Sequence, residues 1–203
     1  MAAEPMVHVI DDDQAVRESL LFLIDCAGMR ARGHASADAF LAALPGLEPG
    51  CIVTDVRMPG MSGIELVDRL KSLGMVNPVI VITGHADVPM AIHAMKQGVD
   101  DFIEKPFDDD TILQSIRSAL SRHHRAAEQQ AERAQVEEKL ASLSPRERDV
   151  LDGLVEGRPN KVIAFDLGIS ARTVEVYRAN LMTKMQAGSL SELVRMAMLA
   201  RQD

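Results

Sequence analysis

Four short apolar runs, each stopping at a polar or charged side chain, limit what this chain can fold into. Val7–Ile10 runs into Asp11-Asp12-Asp13, Cys51–Thr54 into Asp55, and Val79–Ile82 into Thr83, while the run from Asp101 ends at Lys105 and is closed by Pro106. Apolar residues recur at helical spacing after the first three and ahead of the second. Val16, Leu20, Leu21, Ile24 and Ala27 precede Gly28, and Phe40 and Leu44 follow a Ser36 cap. Ile64, Val67 and Leu70 follow Ser62, and Val88, Ala91, Ile92 and Met95 precede Gly98. Strands alternating with helices over about 120 residues imply a parallel sheet covered on both faces, the doubly wound α/β class. In such a sheet ligands collect outside the carboxyl ends of the strands. Asp11, Asp12, Asp13, Asp55, Thr83 and Lys105 all stand at such ends, so the fold itself gathers them at one edge. Pro59-Gly60 makes a turn soon after Asp55, which is expected to stand exposed there.

Each residue also has a plain structural use. Acids favour a helix N-terminus, Asp55 could serve a turn, and Lys105-Pro106 a surface corner. Their convergence points to chemistry instead. Carboxylates brought together repel unless a cation lies among them, and an all-oxygen, partly hydrated site suits Mg²⁺. A metal there neutralises an incoming phosphoryl group, which allows attack by the Asp55 carboxylate. Lys105 supplies fixed positive charge to the aspartate and then to the phosphate. Thr83 supplies a short hydroxyl that can donate to a phosphate oxygen. Asp13 is read as a helix cap.

Composition narrows the setting. Apolar residues make up 47% of the chain and charged ones 26%, which fits a globular protein rather than a disordered one. No apolar run is long enough to span a bilayer and no signal sequence opens the chain, so a cytoplasmic protein with no membrane contact is expected. Cys26 and Cys51 both lie in apolar stretches and are expected to be reduced and buried. The net charge of −8 divides unevenly: residues 1–121 hold 9 Lys and Arg against 18 Asp and Glu, and residues 142–203 hold 9 against 8. The first part is built to hold cations, and the last permits a polyanion.

From Asp108 helical pattern passes Ile112, Ile116 and Leu120. It continues without Gly or Pro through an Ala, Glu, Gln and Arg-rich segment, 122–141, read as one helical linker. Its Ala127, Ala131, Ala134 and Ala141 bury little area, so a solvated spacer is expected. Ser144-Pro145-Arg146-Glu147 is a helix start with cap, proline and first-turn acid. A short helix over 160–167, a turn at Gly168-Ile169-Ser170 and a longer helix over 171–185 form a helix-turn-helix pattern. On the longer helix Val174, Leu181 and Met185 share a core face. Opposite them, Glu175 can accept from a cytosine amino group and Val176 can touch a thymine methyl, with Ala179 close by. Lys161, Arg172, Thr173, Arg178, Asn180 and Lys184 suit phosphates, which position a helix without reading sequence.

Asp11-Asp12, Asp55, Thr83 and Lys105-Pro106 resemble the signature set of response-regulator receiver domains, a likeness covering residues 5–121. Leu143-Ser144-Pro145-Arg146-Glu147-Arg148 and Thr173-Val174-Glu175-Val176 resemble the DNA-binding domain of the LuxR and NarL type. The runs Val81–Met90 and Phe102–Phe107 resemble the FixJ subgroup. The resemblance implies a flavodoxin-like five-stranded receiver domain (1–121), a helical linker (122–141) and a helix-turn-helix domain (142–203). It implies Mg²⁺ on Asp12, Asp55 and the Arg57 carbonyl, with Asp11 acting through water, phosphorylation of Asp55 by a sensor histidine kinase, and a cis Lys105–Pro106 bond. Phe102 falls at the family's switch aromatic, expected to move with Thr83. The implied partners are a FixL-like oxygen-responsive kinase, promoter duplex DNA of nitrogen-fixation or microaerobic genes, and RNA polymerase. Dimerisation on phosphorylation is expected through the face made by residues 87–120, because a DNA-binding domain of charge +1 binds weakly as one copy.

Two other readings use the same residues. A Mg²⁺-dependent phosphatase with an aspartyl intermediate would need a second acid two residues after Asp55, where Arg57 stands. The helical domain could instead contact protein or RNA under receiver control.

Overall fold

The computed structural model describes residues 5–84 and 88–201, without the side chains of residues 88–90 and 93. His85, Ala86 and Asp87, quoted above for the subgroup, lie outside the described residues, as do the side chains of Val88, Pro89 and Met90. The chain divides into two compact units, 1–125 and 126–203.

In the first unit five strands, β1 (Met6–Ile10), β2 (Arg30–His34), β3 (Gly50–Asp55), β4 (Val79–Thr83) and β5 (Asp101–Glu104), form one parallel sheet in the order β2-β1-β3-β4-β5. The doubly wound class is thus realised, with one strand the hydrophobic pattern did not mark. β2 reads Arg-Ala-Arg-Gly-His and only His34 is buried. It is an edge strand, so one ladder suffices and apolar alternation is not required of it. β1, β3 and β4 are buried throughout and therefore read as continuous apolar runs.

Side chains alternate across the sheet into two cores. Val7, Val9, Cys51, Val53, Ile80, Ile82 and Ile103 meet Leu20 and Ile24 of α1 (Gln14–Cys26) and Ile112, Ile116 and Ala119 of α5 (Asp109–Ala141). Ile10, Ile52, Val79 and Val81 face the other way, toward α2 (Ala37–Ala43), α3 (Gly63–Ser72) and α4 (Val88–Lys96). On α4 the core residue is Ala94, whereas Ile92 and Met95 are about half exposed, so the apolar stripe of that helix is only partly covered. Cys26 corrects the expectation of two buried thiols: it lies exposed at the end of α1, whose buried face is set by Leu20 and Ile24. Cys51 is buried, and burial pushes its thiol pKa up, keeping it protonated and inert.

Where β1 and β2 meet α2, two histidines are buried. His8 Nε2 lies 2.9 Å from the Glu48 carbonyl, and His34 Nε2 lies 3.4 Å from His8 Nδ1, with Phe40 edge-on to both. Burial, reinforced by the His8 and Arg32 charges, lowers the His34 pKa to about 4, and burial also lowers that of His8. Both are neutral when folded, while the unfolded chain takes up protons near pH 6.5. Below that pH the unfolded state binds more protons, so the contribution of His34 is constant above it and falls as pH drops toward 4, by up to about 1.4 kcal/mol per pH unit, and His8 acts in the same direction. His34→Gln should flatten this slope in urea titrations between about pH 7 and pH 4. A slope equal to that of the parent would show that the pair does not drive it.

In the second unit α6 (Pro145–Val155), α7 (Asn160–Leu167), α8 (Ala171–Met185) and α9 (Leu190–Leu199) enclose a core of Val150, Leu151, Leu154, Ile163, Val174, Leu181, Met185 and Leu193. Val136 and Leu140 of α5 pack on the same core. The end of the helix expected to be a solvated spacer is therefore structural, because Val136 and Leu140 form an i, i+4 apolar pair between Ala134 and Ala141, the small residues that suggested otherwise. The turn between α7 and α8 rests on Gly168 at φ 65°, and Ser170 caps α8 by accepting from Thr173 N.

Candidate functional site

The carboxyl edge of the sheet collects the polar strand ends. Register places Ile82 beside Asp55, Thr54 beside Ile10 and Glu104 beside Thr83, which carries Asp11, Asp55, Thr83 and Lys105 to neighbouring positions. Lys105 Nζ joins two of them, 2.7 Å from Asp55 Oδ1 and 3.1 Å from Asp11 Oδ2. Asp55 Oδ2 accepts the Arg57 N–H at 2.7 Å, and Asp11 Oδ1 accepts the Asp13 N–H at 2.9 Å. Both carboxylates are held by two donors each, and every donor fixes one oxygen.

Asp55 is only 9% exposed, which corrects the expectation of an exposed strand end. The Lys105 ammonium lies against it, and the 56–62 loop returns to the sheet through Gly63 N–H donating to the Val56 carbonyl. Burial raises the Asp11 pKa, opposed by the hydrogen bond from Lys105. For Lys105 burial alone would lower the pKa, but the bonds to Asp55 and Asp11 outweigh it and hold the ammonium charged. Asp12 is exposed and lines an open cleft with Val56, Arg57, Met58 and Ser62. Asp13 caps α1, accepting from Ala15 N and Val16 N. Thr83 is fully buried, and Phe102 is partly buried against the core that includes Val81, Ala94 and Val99. The Lys105–Pro106 bond is cis.

Asp11 and Asp55 converge on one ammonium and Asp12 stands on the adjoining lip; the three offer only oxygen, the donor chemistry Mg²⁺ takes, while among the described residues no three carboxylates are grouped closely enough to form a metal site by themselves. Arg17, absent from the sequence-derived set, also reaches this corner: its Nη1 donates to the Asp11 carbonyl at 2.6 Å and lies 3.5 Å from that of Asp12. No local motif marks it, since it acts on main chain five and six residues away.

On α8, Val174, Leu181 and Met185 are buried as expected, and Arg172, Glu175, Val176, Ala179, Asn180 and Thr183 are exposed. Lys161 is exposed on α7. Three of the expected phosphate contacts have partners inside the domain. Lys184 Nζ is 2.7 Å from Glu147 Oε2, Arg178 Nη1 donates to Asn160 Oδ1 at 3.0 Å, and Thr173 Oγ1 is 2.8 Å from Ser170 Oγ. Glu147 is almost fully buried, and Lys184 with the Ser144 cap holds its carboxyl down to about 2. Sequence spacing could not separate the two cations, Arg178 and Lys184, from unpaired ones, because their partners come from other helices, whereas the Thr173 contact is the local cap of α8.

A buried aspartate held by lysine at the edge of a five-stranded parallel sheet, in a chain with a helix-turn-helix, is the arrangement of a receiver joined to a DNA-binding module. Residues 7–117 match the response regulator receiver domain, and residues 141–197 match the bacterial regulatory proteins of the luxR family. The chain belongs to the response regulators that join a receiver to a LuxR-type DNA-binding domain. Within that class it is a FixJ-like transcription regulator rather than an enzyme. It is 59% identical over 194 residues to the transcriptional regulatory protein FixJ of Azorhizobium caulinodans, covering 96% of this chain and 92% of that one. It is 54% identical over 200 residues to FixJ of Bradyrhizobium diazoefficiens, covering 98% of each. Among solved structures, full-length FixJ from B. japonicum matches with a TM-score of 0.64 at 53% identity over 98% of each chain. The response regulator StyR matches with a TM-score of 0.80 at 39% identity, covering 97% of this chain and 99% of that one. Receiver domains generally use Mg²⁺ at the phosphorylation site. Among the described residues no helix is long and apolar enough to cross a membrane.

Proposed function

We propose that Asp55 accepts a phosphoryl group from a sensor histidine kinase and that the resulting charge controls DNA binding by α8. The observation that carries this is Lys105 Nζ set between Asp55 Oδ1 and Asp11 Oδ2 at the sheet edge. The Asp55 carboxylate attacks phosphorus, the bond from phosphorus to the kinase imidazole breaks, and the electron pair leaves with the imidazole nitrogen. Lys105 stays charged throughout and transfers its hydrogen bond from carboxylate to phosphate. Asp12, Asp55 and the Arg57 carbonyl would hold Mg²⁺, with Asp11 beside them supplying further negative charge. When bound, the metal neutralises phosphoryl oxygen charge. Thr83 donates to a phosphate oxygen, and Phe102 follows it inward.

The output is transcriptional. Glu175, Val176 and Ala179 face bases, while Lys161, Arg172 and Asn180 serve phosphates. Arg178 and Lys184 are used first for holding α8 to α7 and α6, and Thr173 for the Ser170 cap of α8 itself. Exposed Ile92 and Met95 on α4 support pairing of phosphorylated receivers. Two copies then place recognition helices on half-sites about one helical turn apart. The similarity to FixJ proteins supports a cytoplasmic activator, with RNA polymerase as partner, of nitrogen-fixation or microaerobic genes, paired with a FixL-like oxygen-responsive kinase. Sedimentation and footprinting with and without beryllofluoride and Mg²⁺ test the core of this reading. A doubled mass and a footprint of two half-sites are expected, and an unchanged monomer with an unchanged footprint would refute it.

A further inference from the structure

The first turn and a half of α1 carries an arginine whose surroundings the mechanism above does not use. Arg17 is half-buried in a unit rich in carboxylates, yet among the described residues it makes no ion pair. Its guanidinium is given to main chain, with Nη1 2.6 Å from the Asp11 carbonyl and 3.5 Å from the Asp12 carbonyl. The strand beneath is shaped to let it pass. A Cβ built on Gly33 of β2 would stand 3.2 Å from both Cγ and Cδ of Arg17 and 2.9 Å from Leu21 Cδ1. Gly33 pairs with Val9, and the His34 carbonyl after it accepts the Asp11 N–H, so the glycine that admits the arginine stem adjoins the loop that its head holds.

We propose that Arg17 is a positioning residue for the acidic corner: by bonding the carbonyls of Asp11 and Asp12 across Gly33, it fixes the main chain from which the Asp12 carboxylate reaches Mg²⁺. This rests on the reading that Asp12 and Asp55 hold the metal. The loop needs such a restraint because the Asp12 side chain is exposed and makes no hydrogen bond of its own among the described contacts, while Asp11 and Asp13 are each fixed by their carboxylates. Groups that orient metal ligands from behind are worth about 10- to 100-fold in metal affinity when removed.

The sign of the effect separates positioning from simple charge. A cation near a Mg²⁺ site repels the metal, so if Arg17 acted only through its charge, Arg17→Met would bind Mg²⁺ more tightly. If it positions Asp12, the same substitution weakens binding, by about tenfold. Titration calorimetry of the full-length protein with Mg²⁺ reads this directly, with urea midpoints measured alongside to confirm folding. Arg17→Lys keeps charge but loses the planar fork, and should restore little affinity. Gly33→Ala should weaken Mg²⁺ binding in the parent and add nothing in the Arg17→Met background, because the displaced stem then has no head to misplace. Unchanged or tighter binding in Arg17→Met, alongside loss of binding in Asp12→Asn, overturns the proposal and leaves the metal reading standing. Undiminished binding in Asp12→Asn removes the metal reading itself, and the proposal with it.

Discussion

Asp55→Asn should take up no phosphoryl group from acetyl phosphate or a kinase, and its DNA affinity and mass should stay at the unphosphorylated level whatever donor is present. The amide keeps the volume and can still accept the Arg57 N–H, but it lacks the anionic oxygen that attacks phosphorus. Lys105 is not stranded, since Asp11 Oδ2 remains 3.1 Å away, so the folding free energy should change by no more than about 1 kcal/mol. The combination matters: chemistry lost completely with the fold nearly untouched. Phosphate incorporation by intact mass, with urea unfolding of the same sample, checks both halves. Incorporation persisting at the parent's rate would move the phosphoacceptor elsewhere.

Gly63→Ala should be the more damaging change for the fold, although it removes nothing. Gly63 opens α3, and a Cβ there would lie 2.1 Å from the Asp55 carbonyl oxygen and 3.0 Å from the Asp55 carbonyl carbon and from Thr54 Oγ1. Nothing in that list is the free end of a flexible side chain, so relief requires the main chain of β3 or α3 to move. Overpacking of this kind costs about 3 kcal/mol or more. Because the displaced atoms belong to Asp55 itself, phosphorylation should slow in whatever fraction stays folded. Gly46→Ala is the control, since a Cβ there meets nothing within 4 Å and should be nearly neutral. Equal unfolding midpoints for the two variants would show that α3 can retreat freely from the phosphoacceptor strand.

Much of the sheet was legible because three of its strands are buried on both faces and therefore appear as unbroken apolar runs. β2 was not, since an edge strand with one exposed face carries no such run, and Arg30, Ala31 and Arg32 look like loop. The helix-turn-helix was legible down to its core face, Val174, Leu181 and Met185, because helical period fixes which residues share a side. What period does not fix is the partner of a cation. Lys161 and Lys184 read alike in sequence and both are exposed, yet Lys184 is bound to a buried glutamate from α6. Cys26 departed from its expected burial for a related reason: apolar stretches are amphipathic once wound, and only the neighbouring elements decide how wide the covered stripe is, as half-exposed Ile92 also shows.

The residue types of the acidic corner and the strand ends that carry them follow from local sequence alone, since a run that stops at a charge defines its own end. That Lys105 spans Asp11 and Asp55, that Asp55 is nearly buried, that Arg17 grips the carbonyls behind the acidic pair and that Gly63 must stay bare against Asp55 were decided only by tertiary structure. These relations join residues far apart in the chain or depend on approaches of a few ångströms. Hydrophobic pattern specifies which face of an element turns inward, and only packing sets the distances across which charges and hydrogen bonds act.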